Sequence, residues 1–363
     1  MNQTIWQWRG LAANNEGNIM SKTIKHLEII VTLVIAFFAL AIPSAPNHAQ
    51  GIALPPEIKI GYQRGDVFTI LKLQNILEKR YPNLKVSWSV FPAGPQELEA
   101  LKVGSIDIAG SLGETPPIFA QAGGNPLLYV TVGYSDGSGS YILVPKDSPI
   151  KTVADLKGKK VAFNKASSAH LLTIRSLEKF GLKYEDIQPA FLAPPDARAA
   201  FEGGKIDAWT IWNPFAESVI QELGAKVLVK GEDIAPVRGY TIGSRKFVEA
   251  YPDLVKGIVE ELQKATTWGR ANIPQYAELL AKDTGLDIKV VEESLKVEIP
   301  DVLFIDEDTI VAQQKVADQF TALGLIPDKI NIRDAAWIGG VNPTPEATTS
   351  ATSAATAAAT ASK

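Results

Sequence analysis

The chain of 363 residues contains no cysteine. That excludes a disulfide framework, a thiolate metal site and a cysteine nucleophile. It also leaves no residue to carry a lipid after an export signal, so a free soluble product is expected. Histidine is nearly as scarce, with His26, His48 and His170 alone. The first two fall in a segment expected to be removed, which excludes a multi-histidine metal site and calls for no cofactor. A formal charge of −4 offers no basic face for nucleic acid. The chain is also short of long apolar runs: Ile29 to Ile42 is one of 14 residues, fewer than the about 20 that span a bilayer.

That run sits behind Lys22 and Lys25 and ahead of Ser44-Ala45 and His48-Ala49, the order of a secretory signal over residues 20 to 49. Trp6, Trp8 and Glu16 suit the start of such a signal badly, which places translation initiation at Met20. Removing residues 1–49 takes away Arg9, Lys22, Lys25, Glu16 and Glu28 and leaves a net charge of −5. At the other end, residues 342–363 are Thr, Ala, Ser and Pro with hardly a large apolar side chain. They cannot offset ordering entropy and are expected to be a disordered tail.

Between these ends lies length for about two domains. Ile58 to Gln63 alternates like a strand, a helix pattern runs from Val67 to Arg80, and Val86 to Phe91 is a second strand. Leu98 and Leu101 mark a helix that ends at Gly104, and Ile106 and Ile108 a short strand. A second series of the same kind begins at Lys160 and is followed, after Gly243, by a run of helices. This βαβα rhythm predicts mostly parallel sheets flanked by helices. Glu99–Asp107 and Ala199–Asp207 echo one another 100 positions apart: helix end, glycine, one residue, isoleucine, aspartate. Two similar lobes follow. The boundaries read as 55–140 for the first part of lobe 1, 141–238 for lobe 2 and 239–341 for a helical return to lobe 1. The polar run from Ser135 to Ser140 would be one crossing between them.

Each series then breaks into small residues at a strand's end, where open α/β sheets bind ligands. Gly110 to Thr115 exposes backbone N–H groups in the first. In the second, Lys160 to His170 reads as strand, turn and helix start, so free N–H groups and the hydroxyls of Ser167 and Ser168 can wrap an anion. A serine that only caps the helix is the plainer account of either one alone. Near the end of the next strand, Trp209 is expected to be an apolar wall, Asn213 a hydrogen-bond donor, and Trp212 a core residue. Gly133-Tyr134-Ser135-Asp136-Gly137 satisfies the G-x-S-x-G pattern of a hydrolase, with His170 the available base. The pattern needs a helix directly after the serine, and here more glycine and a strand follow, so a flexible crossing explains it better.

With these residues in view, the chain resembles the aliphatic sulfonate-binding proteins, the periplasmic solute-binding components of ABC transporters. The likeness is carried by Gly61-Tyr62-Gln63, Phe91 to Gln96, Val103 to Asp107, Pro116 to Ala122, Ser148 to Val161, Asp196 to Phe201 and Asp207-Ala208-Trp209, and covers about residues 57–337. It implies a two-lobed α/β fold of the type II periplasmic binding class with two crossing strands as hinge. It also implies a monomer that closes on a small organic sulfonate and delivers it to the transporter permease for sulfur uptake. Carried over, the ligand contacts are Gln63, Gly110, Ser111, Leu112, Gly113, Ser167, Ser168, Trp209 and Asn213. Neutral donors from both lobes are expected to hold the anion.

Two departures bear on the ligand. Relatives have Gly-Ser-Thr-Gly-Asp where this chain has Gly110-Ser111-Leu112-Gly113-Glu114, and Trp-Asp-Pro where it has Trp212-Asn213-Pro214. Loss of a carboxylate at Asn213 speaks against taurine, whose ammonium needs a charge partner, unless Glu114 takes that role. Arg238 would add a cation to the pocket if it faced inward, though a surface place suits it better. Nitrate, bicarbonate or another small oxyanion is the alternative ligand class, and an enzyme on this fold the rival function.

Overall fold

The computed structural model describes residues 52–297 and 299–340; the secretory signal and the C-terminal tail read from the sequence lie outside them. Ile58, Ile60 and Tyr62 point into the core from strand β1 (Glu57–Gln63), with Glu57, Lys59 and Gln63 more exposed and Gly61 buried between them. Helices α1 (Phe68–Leu73) and α2 (Ile76–Arg80), strand β2 (Lys85–Phe91), helix α3 (Gly94–Lys102) and strand β3 (Ile108–Gly113) follow. Pro residues occupy the first turns of α3 and of α4 (Thr115–Ala122), where the missing N–H would have no intrahelical partner. Strands β4 (Leu127–Ser135) and β5 (Ser140–Val144) lead to a second series: β6 (Lys160–Phe163), α5 (Ser168–Lys179), β7 (Gln188–Phe191), α6 (Pro194–Glu202), β8 (Ala208–Trp212), α7 (Phe215–Leu223) and β9 (Lys226–Lys230). Strand β10 (Val237–Ser244) opens the last third. Helices α8 (Arg245–Ala250), α9 (Pro252–Ala271), α10 (Ile273–Thr284) and α11 (Ile288–Val297), the short strand β11 (Leu303–Phe304) and α12 (Glu307–Ala322) complete it.

The strands form two sheets, in the orders β11-β4-β10-β3-β1-β2 and β7-β6-β8-β5-β9. β1 runs parallel to β2 and β3, and β6 parallel to β7 and β8. The other pairings are antiparallel, so both sheets are mixed where the rhythm of the sequence suggested mostly parallel ones. The parallel strands are joined by helical crossovers; β4, β5, β9 and β10 flank the connections between sheets and enter in the opposite direction. Those two connections touch: a side chain on Gly137, at φ +99°, would stand 2.8 Å from the carbonyl oxygen of Gly231.

The echo in the sequence is an echo in hydrogen bonds. After α3, Gly104 takes φ +73° and Asp107 accepts from the N–H of Lys59 at 2.9 Å; after α6, Gly204 takes φ +62° and Asp207 accepts from the N–H of Lys160 at 2.8 Å. Each aspartate so pins a crossover to the start of its central parallel strand. Helices cover both faces of the first sheet. Leu254, Val255, Ile258, Val259 and Leu262 form one stripe of α9 against Ile58 and Ile60, while Leu98, Ile118, Ile310 and Phe320 of α3, α4 and α12 pack on the opposite face.

Candidate functional site

A cavity of about 330 Å³ opens at the ends of β3, β4, β8 and β10. From the first sheet come Ser111, Leu112, Gly113 and Glu114; from the second, Ser168 at the start of α5 and Trp212-Asn213 at the end of β8. The two sides approach closely at one glycine. A Cβ on Gly113 would lie 2.7 Å from that of Ser168, nearer than carbon atoms pack. Both turns carry backbone strain, with Ser111 at φ +49° and Ala166 at φ +60°, conformations that non-glycine residues hold only where the surroundings impose them.

Helix α5 presents Ser168, Leu171, Leu172 and Arg175 to the cavity, the i, i+3, i+4, i+7 face of a helix. Arg175 Nη1 stands 3.3 Å from Glu114 Oε2. Arg238 of β10 stands 3.6 Å from Glu114 Oε1, lies over the ring of Tyr134, and keeps a buried Nε with no hydrogen-bond partner. Burial raises the Glu114 carboxyl above its ordinary range while the two guanidiniums pull it down. Its backbone is fixed as well, since Gln313 of α12 donates to the Glu114 carbonyl at 2.7 Å. Asn213 uses Oδ1 to accept from the N–H of Glu217 and leaves Nδ2 buried and unpartnered. Trp212, Val67, Leu172, Leu295, Val297 and Ile299 supply much of the remaining wall.

Ser111, Leu112, Gly113, Glu114, Ser168, Asn213 and Arg238 thus meet on one cavity. Five residues read into the site from the sequence lie elsewhere. Trp209 is 1% exposed and packs on Phe201 of α6; alternation along β8 turns Trp212, three positions on, to the cavity instead. Gln63 donates to Glu97 at 3.2 Å, and the N–H of Gly110 donates to the same buried carboxyl at 2.7 Å. Both therefore brace the strand ends. Burial, and then the nearby Asp66, hold the Glu97 carboxyl well above the ordinary range. Ser167 holds the N-cap position of α5, but its hydroxyl donates to the Asn164 carbonyl instead of accepting from the helix, and it does not line the cavity.

His170 is stacked on Phe163 at 4.9 Å, takes the N–H of Ala166 on Nδ1 and meets the Tyr184 hydroxyl at Nε2. Burial, with Lys165 adding, pushes it down to about 4. It is a packed core histidine outside the cavity lining, and β4 runs into a loop and strand β5, so no nucleophile elbow forms. Arg238 faces inward rather than outward, and the cavity is guarded by guanidiniums where neutral donors were expected. Arg175 escaped the sequence reading; its place seven residues after Ser168 was the signal available.

Among the described residues no helix is long and apolar enough to cross a membrane. Residues 70–347 match the phosphonate-binding family described as ABC transporter, phosphonate, periplasmic substrate-binding protein. A putative aliphatic sulfonates-binding protein of Escherichia coli is 42% identical over 318 residues, 87% of this chain and 97% of the relative. One of Bacillus subtilis is 33% identical over 311 residues, 84% of this chain and 93% of the relative. The alkanesulfonate-binding protein of Xanthomonas axonopodis pv. citri, solved bound to MOPS, superposes with a TM-score of 0.75 at 40% identity, covering 78% of this chain and 99% of that one. On its fold, its cleft and these likenesses, the chain belongs to the aliphatic sulfonate-binding proteins, periplasmic solute-binding components of ABC transporters.

Proposed function

We propose that this protein captures an aliphatic sulfonate in the periplasm and delivers it, as a monomer, to the permease of an ABC importer for sulfur uptake. The observation that carries the reading is the pair of buried, unpartnered donors, Arg238 Nε and Asn213 Nδ2, on the wall of one cavity. A buried donor left unpaired costs about 1–3 kcal/mol, and a sulfonate brings oxygens to satisfy both. Arg175, Arg238 and the hydroxyls of Ser111 and Ser168 surround the head group, and charge-assisted bonds of this kind are about twice as strong as neutral ones. The alkyl chain lies on Trp212 and the neighbouring aliphatic side chains.

Closure is a rotation about the two connections that meet at Gly137 and Gly231, and it brings Ser168 and Asn213 toward the Ser111 turn. Ligand favours the closed form through the contacts that only that form makes. Glu114 is not free to accept from an ammonium group, because both of its oxygens face guanidiniums. Taurine is therefore a poor ligand.

Calorimetry and thermal shift across methane- to octanesulfonate, taurine, nitrate and sulfate test the reading. Affinity rises with chain length by up to about fourfold per methylene, the equivalent of ~0.8 kcal/mol, until the cavity is full. Binding of nitrate with none of any sulfonate would refute it.

A further inference from the structure

Glu114, Arg175 and Arg238 reach one point of the cleft from three elements: the turn into α4, the middle of α5 and the start of β10. Two guanidiniums and one carboxylate leave a single uncompensated positive charge. The two other carboxylates on the wall do not alter that balance at the guanidiniums. Asp66 accepts from the N–H groups of Gln63 and Thr69, and Asp301 is paired with Arg270 at 2.5 Å.

We propose that Glu114 sets the charge of the head group that the cleft admits: a singly charged sulfonate neutralises the cluster, and a doubly charged head group is rejected. This rests on the cleft being the sulfonate site and adds a rule of selection to it. Sulfonate, sulfate and phosphonate all present oxygens tetrahedrally disposed about one atom, so hydrogen-bond geometry separates them poorly. Charge separates them well. In a cleft of low dielectric a monoanion ends as part of a neutral set, whereas a dianion leaves net negative charge beside the buried Glu114 carboxylate. Glu114 cannot swing away, since α12 holds its carbonyl through Gln313 and its side chain is almost fully buried.

The test compares ligands with the same tail. Pentanesulfonate keeps one charge throughout, while pentylphosphonate, whose carbon–phosphorus bond makes it a weaker acid than a phosphate monoester, passes from one charge to two between about pH 6 and about pH 9. Calorimetry on the wild-type protein at about pH 6 and about pH 9 should show pentylphosphonate weakened at least about tenfold relative to pentanesulfonate at the higher pH. Arg175 faces Glu114 from α5, and Arg238 and Tyr240 face it from β10. Burial raises the Tyr240 phenol beyond this range. Asp66 does titrate on the wall, and the sulfonate series corrects for it.

In Glu114→Gln the penalty should vanish, with dianionic pentylphosphonate and sulfate gaining about tenfold or more relative to pentanesulfonate at about pH 9. Equal binding of the two phosphonate forms by the wild type, or an unchanged penalty in folded Glu114→Gln, overturns the inference. If Glu114→Gln does not fold, the wild-type pH series decides alone. A wild-type protein that binds no sulfonate overturns instead the functional reading beneath it.

Discussion

At the scale of single residues, the two tryptophans of β8 divide two tasks. Trp209 fills the space under α6, and truncating it leaves a large void, so Trp209→Ala should cost about 3–5 kcal/mol of unfolding free energy. Trp212 is partly exposed on the cavity. Trp212 also packs on the core of the second sheet, so Trp212→Ala should cost some stability, less than Trp209→Ala, and weaken octanesulfonate about tenfold more than methanesulfonate. Chemical denaturation and calorimetry separate the two effects; equal losses for both ligands would remove Trp212 from the alkyl wall. Asn213 and Arg238 were both visible as candidates in the sequence. Only the burial of their unpartnered nitrogens distinguishes them from ordinary surface groups.

At the scale of elements, the contact between the turn after β3 and the start of α5 leaves no room for a Cβ at Gly113. Gly113→Ala should keep the two sides apart and reduce sulfonate affinity about tenfold or more, with a small change in the melting temperature of the unliganded protein. Calorimetry together with solution scattering with and without ligand checks this. Unaltered affinity would mean that the sides need not approach as described. Helix α5 shows how one element serves two neighbours: Ser168, Leu171, Leu172 and Arg175 face the cavity, while His170 enters an aromatic cluster with Phe163, Phe191 and Tyr184.

At the scale of the whole molecule, buried carboxyls shape the dependence of stability on pH. Burial, which its N–H partners oppose and Asp283 reinforces, pushes Asp66 up to about 7. The native state therefore keeps a proton that the unfolded chain releases near 4, and this contribution is full below the unfolded value and lost as pH rises through about 7. Glu97 acts in the same direction, and His170, neutral in the core down to about 4, acts oppositely below about 6.5. Glu97, Asp283 and Tyr276 are the titratable groups that face Asp66. In melts of the unliganded protein at about pH 5.5 and about pH 8, Asp66→Asn should remove part of the loss seen at the higher pH. An identical slope in both proteins would sink the assignment.

The sequence by itself determined most of the strands and helices and the paired turns at Gly104–Asp107 and Gly204–Asp207, because periodicity, chain-reversing glycines and short-range bonds act within a few residues; the helix read from Val67 to Arg80 is in fact two, broken where Asn75 takes φ +50°. It also placed Ser111, Gly113, Ser168 and Asn213 at strand ends, where such sheets hold ligands. The tertiary structure alone decided that Trp212 and not Trp209 faces the cleft, that Gln63 and Gly110 serve Glu97, and that Glu114 meets Arg175 across 61 positions of chain. Those outcomes depend on strand order and on which face of each sheet is turned to the other. Such relations join residues distant along the chain, and no local pattern encodes them.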